Sequence, residues 1–309
     1  MLFVERDSFL SPLKILLQGR LSMHTSSLNY IKGLLWFLLS LIVSCGNDTL
    51  TKYLGQTMNY WQITFFRYFF GTCILLFFMF YHKGKQNFTI ERLTLHLVRG
   101  TMLFIAMCLW NYGVNKFPIA NATIMSFTVP IFVLLLAPIF LKERVTWPMW
   151  AVVLISFGGI LLAFKETSQW SFNHASWTFV FAACIFGSLD IINKKYVIKE
   201  PILYMIFYPT LIVTFLSAIP VLYVWQTPSS QSLILLVLLG IGSNLIFYLI
   251  LKAFSLVNAS LLAPFRYLEL LISICVGYLL FGELPNINIL LSAIIIIPCS
   301  LFIIYQQGR

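Results

Sequence analysis

Asp48-Thr49-Leu50-Thr51-Lys52 and Asp190-Ile191-Ile192-Asn193-Lys194 both read Asp-x-x-x-Lys, and they stand 142 residues apart. Each lies near the end of a long apolar run. Two further landmarks follow them in the same order. Asn121-Ala122-Thr123 is matched by Asn258-Ala259-Ser260, 137 residues on, and Leu141-Lys142-Glu143-Arg144 is matched by Phe281-Gly282-Glu283-Leu284. Any one match is weak; three in one order indicate an internal duplication.

The composition around these strings excludes most soluble proteins. Of 309 residues, 60% are hydrophobic and only 10% are charged, against about 25% charged in an ordinary soluble domain. The apolar runs are continuous and do not alternate with period two, which excludes an outer-membrane barrel. A bilayer core needs about 20 apolar residues per helix. Ten runs meet this: Ile31–Leu54, Tyr60–Tyr81, Leu93–Gly113, Ile119–Leu141, Trp147–Phe164, Ala175–Val197, Ile202–Trp225, Leu233–Phe254, Ala259–Phe281 and Ile287–Tyr305. The expected fold is an all-α membrane protein of ten transmembrane helices, arranged as two repeats at 29–165 (helices 1–5) and 166–309 (helices 6–10). Residues 1–28 are expected to be an N-terminal arm, either disordered and cytoplasmic or preceding a native start near Met23.

The net charge of +10 suggests nucleic acid in a soluble protein. Here it reports orientation instead. The ends of even-numbered helices and the connections after them hold Lys83, Lys85, Arg92, Lys142, Arg144, Lys194, Lys195, Lys199 and Lys252, nine in all; the connections after odd-numbered helices hold only Lys116 and Lys165. The asymmetry places both termini in the cytoplasm. Five crossings per repeat turn the second copy upside down. Inverted repeats with a ligand site near the midplane are the plan of many secondary transporters.

These features resemble the drug/metabolite transporter superfamily, EamA type, over about residues 29–306. Within it, Trp36-Phe37-Leu38-Leu39-Ser40, Asn47-Asp48, Leu189-Asp190-Ile191-Ile192-Asn193-Lys194-Lys195, Ala263-Pro264 and Arg266-Tyr267-Leu268-Glu269-Leu270 are similar to a branch found in obligate intracellular bacteria. So are Ile294-Ile295-Ile296-Ile297-Pro298 and Phe302-Ile303-Ile304-Tyr305. The resemblance implies import of S-adenosylmethionine through the bacterial inner membrane, by antiport with S-adenosylhomocysteine. It implies no cofactor, no nucleic acid and no enzyme activity. Two other readings stay open: an EamA-type exporter of amino acids or other small metabolites, and an integral membrane transferase. The transferase reading wants a clustered acid/base or metal set, which the sequence lacks.

S-adenosylmethionine carries an ammonium, a carboxylate and a positive sulfonium. Ionisable residues inside spans are functional candidates by default. Glu269 sits about 15 Å from either end of its helix, with Arg266 one turn earlier. Arg266 suits the carboxylate in a bidentate fork, and Glu269 suits the ammonium or sulfonium; the alternative is a mutual salt bridge. Asp48 and Asp190 should face a central cavity from opposite sides, or pair with Lys52 and Lys194 one turn on, which could also snorkel or gate. Asn193 belongs to the same string. Arg67 is either a packing ion pair or a ligand contact.

Aromatic faces suit a sulfonium and stack on adenine. Candidates are Trp110, Tyr112, Phe127, Tyr204, Tyr208, Phe247, Tyr248 and Tyr267, with Asn111 and Asn244 beside them as readers of the adenine edge or as interhelical glue. Pro264, just before Arg266, is the helix interruption most expected to bear on the site. The six cysteines read as packing residues, and His24, His82, His96 and His174 as scattered near connections without metal-ligand spacing.

Overall fold

The computed structural model describes residues 6–83, 92–116, 126–163, 176–281 and 287–307. Every element among them is helical. In chain order they are α1 (Arg6–Leu54), α2 (Tyr60–Lys83), α3 (Leu93–Lys116), α4 (Val129–Phe140), α5 (Trp147–Ala163), α6 (Ser176–Tyr196), α7 (Ile202–Tyr223) and α8 (Ser230–Leu256). Then comes a broken helix, α9, made of Ala259–Leu262, a 3-10 turn Ala263–Tyr267 and Leu268–Phe281, and last α10 (Ile287–Gln307). The backbone of the expected arm continues α1 as helix from Arg6; the apolar stretch within it is Leu28–Leu54.

Six of these helices are long and apolar enough to cross a membrane by length and composition, and Val129–Phe140, Trp147–Leu161 and Leu290–Gln306 are shorter apolar helices. Large apolar side chains cover the outside: Phe77, Ile139, Phe215, Leu222, Leu279 and Ile294 are all exposed. In water a surface of this kind would aggregate. Facing hydrocarbon it needs no partner. The sequence strings at Asn121-Ala122-Thr123 and Gly282-Glu283-Leu284 lie outside the described residues.

Contacts run between the two halves of the chain rather than within them. The main packing pairs are α1 with α8, α2 with α7 and α8, α3 with α6 and α7, α4 with α6 and α9, α5 with α10, and α1 with α9. Replacing each helix by the one five places on or back maps this pattern onto itself: α1–α8 becomes α6–α3, α2–α8 becomes α7–α3, and α4–α6 becomes α9–α1. Helices α2 and α8 cross in backbone contact. A Cβ on Gly240 would lie 2.9 Å from the Gly71 nitrogen and 3.0 Å from the Arg67 carbonyl oxygen. Without a side chain there, the two backbones touch, as small residues permit between membrane helices.

The break in α9 falls at Pro264. Its ring displaces the preceding turn and it has no N–H to donate, so the chain tightens into i→i+3 bonding for five residues. Arg266 sits in this turn, and Glu269 on the first α-helical turn after it.

Candidate ligand cavity

Asp48 lies six residues before the end of α1, about 9 Å along the axis. Ser44, one turn earlier on the same face, hydrogen-bonds the Glu269 carboxylate. Between them, the Cys45 thiol reaches the Glu269 backbone carbonyl at 3.6 Å. This face of α1 therefore holds Glu269, and Asp48 feels the charges of both Glu269 and Arg67.

Arg67, from α2, donates its Nε to the Ser243 hydroxyl of α8. The Asn47 amide donates to the same hydroxyl at 3.0 Å, and Ser243 in turn donates to the Leu239 carbonyl at 2.7 Å. One hydroxyl has one proton and two lone pairs, so Ser243 is fully used. It fixes the Arg67 guanidinium beside the carboxylates without neutralising it.

Asp48 is accessible to solvent yet enclosed by protein atoms. Glu269 and Asp190 are partly accessible and equally enclosed. Of the three, Asp190 lines a cleft together with Arg266, and such groups suit the space between helices better than a lipid-facing surface. An outer-surface position would place a carboxylate against hydrocarbon, which is costly.

A second pair lies deeper along α6 and α9. Arg266 donates to Asp190 at 2.9 Å, with the side chains 20% and 13% exposed. Phe37, Pro130, Val133, Phe254 and Leu262 line the cleft around it. Thus α9 joins Asp48 and Asp190: Arg266 bonds Asp190, and Glu269 lies by Asp48. The set comprises three carboxyl groups, Asp48, Asp190 and Glu269, and two guanidiniums, Arg67 and Arg266, with Lys52 one turn beyond Asp48.

Beyond this pair, the α8–α9 turn is clamped from two sides. Lys194 Nζ donates to the Phe254 and Val257 carbonyls at 2.6 and 2.8 Å. These belong to the end of α8, where helix carbonyls lack partners. Glu143 accepts from the Ala259 and Ser260 amides at 3.1 and 3.0 Å and from the Ser260 hydroxyl at 2.6 Å, capping the first turn of α9. Lys142, at φ 56°, is the left-handed residue that ends α4 and turns Glu143 inward. Arg92 pairs with Glu200 at 3.2 Å at the same end. Connections α2–α3, α4–α5, α6–α7 and α8–α9 therefore gather at one end of the molecule.

Both halves of the chain match the EamA-like transporter family, at residues 31–165 and 175–305. The chain belongs to the EamA-like transporter family. It is 43% identical over 280 residues to proteins named S-adenosylmethionine uptake transporter from Rickettsia conorii and Rickettsia felis, an alignment covering 91% of this chain and 95% of each relative. A protein of known crystal structure superposes with a TM-score of 0.76 at 15% identity, over 90% of this chain and 98% of that one, and so shares the fold.

Within this EamA chain, the expected ion pairs resolve differently from their spacing. Arg266 bonds Asp190 and not Glu269, and Lys194 bonds backbone carbonyls and not Asp190, because each finds a better-placed partner across a helix interface. Lys52 sits exposed in the last turn of α1. Asn193 accepts both Nε and Nη2 of Arg99, at 3.0 and 2.6 Å. The two amides offered as adenine readers hold helices together: Asn244 donates to the Gly71 carbonyl at 2.8 Å, and Asn111 to Thr64 at 3.2 Å.

The aromatic candidates are dispersed. Tyr267 is fully buried against Phe127, with ring centroids 5.9 Å apart. Trp110 packs edge-on to Phe179. Tyr112 is exposed. Tyr248, also exposed, lies edge-on to Trp36 and under the Lys252 ammonium. Tyr208 packs on Tyr204 and on His96, which is buried in the first turn of α3. Ser44, Ser243 and Arg99 belong to the polar network and were not anticipated. Arg99 carried the same signal as Arg67, a cation several residues into an apolar run. The serines carried none, since a serine in such a helix commonly bonds its own backbone.

Proposed function

We propose that this EamA transporter imports S-adenosylmethionine across the bacterial inner membrane, exchanging it for S-adenosylhomocysteine by alternating access. The observation that carries the reading is the charge pattern of the cavity. Its carboxyl groups suit the cationic centres of S-adenosylmethionine, and its guanidiniums suit the carboxylate. Asp48 and Glu269 take the two cationic centres, and Arg266 takes the carboxylate. To do so Arg266 must release Asp190, so the ligand competes with the contact that closes the α6–α9 side. Binding and opening are thereby linked. The names of the Rickettsia relatives support the same ligand.

The reading comprises ten spans in two inverted repeats, 29–165 and 166–309, with both termini cytoplasmic. Three things support it: the twofold family match, the packing pattern that maps onto itself over five helices, and the gathering of the Lys/Arg-rich connections at one end. That end is then the cytoplasmic one, closed by Glu143, Lys194 and the Arg266–Asp190 pair. An inside-negative potential favours entry of a full charge by about 2.3 kcal/mol per 100 mV, and one-for-one exchange with the near-neutral product moves the same charge.

The test is Glu269→Gln, with binding of both ligands measured on purified protein. Loss of a charge-assisted contact is worth about 1.5–3 kcal/mol, roughly 10- to 100-fold in affinity. S-adenosylmethionine should lose this much and S-adenosylhomocysteine clearly less. Unchanged affinity for both would remove Glu269 from the site.

A further inference from the structure

Arg99 is buried, 3% exposed, six residues into α3. Its Nε and Nη2 both end on the neutral Oδ1 of Asn193, and its Nη1 has no partner. His96, one turn earlier on α3, feels the Arg99 charge, and the Tyr208 ring stands 4.8 Å from the His96 ring; the Tyr208 hydroxyl and His96 Nδ1 are also buried without partners. The acid that Arg99 feels is Glu200, whose carboxylate is taken by Arg92 at 3.2 Å.

This is an unusual way to hold an arginine that serves only packing. A buried cation is stabilised by a carboxylate, and an amide leaves its charge in place. An aspartate at position 193 would have neutralised it. Instead the site keeps its positive charge with one guanidinium nitrogen free, and the Tyr208 hydroxyl lies beyond the adjoining His96 ring. A free guanidinium N–H suits a carboxylate oxygen, and the phenol offers a further donor. Asn193 follows Asp190 by three residues on α6, about 4.5 Å further along the axis, so Arg99 lies one turn beyond the Arg266–Asp190 pair toward the clamped end.

We propose that Arg99, with Tyr208, is a second carboxylate site that receives the ligand's α-carboxylate after it leaves Arg266. It rests on the transport reading above. It divides the passage into two steps, with an arginine on α9 for the first and an arginine on α3 for the second. The occupant is a carboxylate of the transported amino-acid ligand, and the site is a positioning site for its release.

The experiment is Asn193→Asp, which hands Arg99 a permanent carboxylate and should block the second step alone. Equilibrium binding of labelled S-adenosylmethionine to purified protein should stay within about twofold of wild type. The maximal uptake rate in proteoliposomes should fall about tenfold or more. The melting temperature should not fall, because a buried charge gains its partner. Tyr208→Phe, which removes one hydroxyl and keeps the ring, should show the same split more weakly; it decides the matter if Asn193→Asp does not fold. An unchanged uptake rate, or a loss of binding parallel to the loss of rate, overturns the proposal. Wild-type protein that takes up no S-adenosylmethionine would instead sink the transport reading itself.

Discussion

Arg266 donates to Asp190 across the α6–α9 interface at 2.9 Å, although Glu269 lies only three residues along its own chain. That choice separates two carboxylates that the sequence places together. Asp190 is neutralised by a guanidinium. Glu269 takes the Ser44 hydroxyl and still feels the Arg266 charge, and Asp48 feels both Glu269 and Arg67.

The Asp190–Arg266 pair should behave as a unit. Removing one partner leaves an unpaired charge in a partly buried place, and for a fully buried pair that costs about 3–5 kcal/mol; residual exposure makes this an upper bound. Asp190→Asn and Arg266→Gln should each lower the melting temperature. The double variant should lose less than the two losses added, as a double-mutant cycle on thermal stability will read. Strict additivity would mean that the contact carries no energy.

The clamp on the α8–α9 turn makes a separate prediction. Glu143→Gln keeps the shape and weakens three bonds, and Lys194→Met removes two. Either change should loosen the turn by about 1 kcal/mol or more. A cysteine placed at Val257, buried in the parent, should then react faster with a membrane-impermeant thiol reagent applied from the clamped end. Equal labelling rates in parent and variants would show that these bonds do not hold that end closed.

Tyr267 was expected to stack on the ligand, and its ring is instead fully enclosed beside Phe127. Tyr267→Ala should therefore act first on stability, by about 3–5 kcal/mol, as other buried aromatics do. Tyr267→Phe keeps the packing and removes only the hydroxyl. If that variant retains stability and ligand affinity, the ring is a packing residue; if affinity falls while the melting temperature holds, the hydroxyl reaches the ligand.

The parts of the site legible in the sequence were those whose signal is charge inside an apolar run. Asp48, Asp190, Arg266 and Glu269 stood out for that reason, and the break at Pro264 for its missing N–H. Partner choice was not legible. Asp-x-x-x-Lys spacing suggests an ion pair along one helix, but Lys194 reaches the unsatisfied carbonyls of α8, which only tertiary packing brings near. The aromatic candidates could not be ranked for a related reason. With 17% aromatic residues, position in the chain does not separate a ring facing a cavity from one facing lipid or core. Glu143 was visible as a repeat landmark, while its capping of α9 depends on a left-handed Lys142 that spacing does not reveal.

The central claim is that the anionic cavity carries a cationic sulfonium ligand in exchange for its neutral product. Uptake of labelled S-adenosylmethionine into proteoliposomes, empty or preloaded with S-adenosylhomocysteine, tests it most directly. The account predicts uptake above protein-free vesicles, faster with the preload, and strongly reduced in Glu269→Gln. Uptake indistinguishable from protein-free vesicles under both conditions would contradict it.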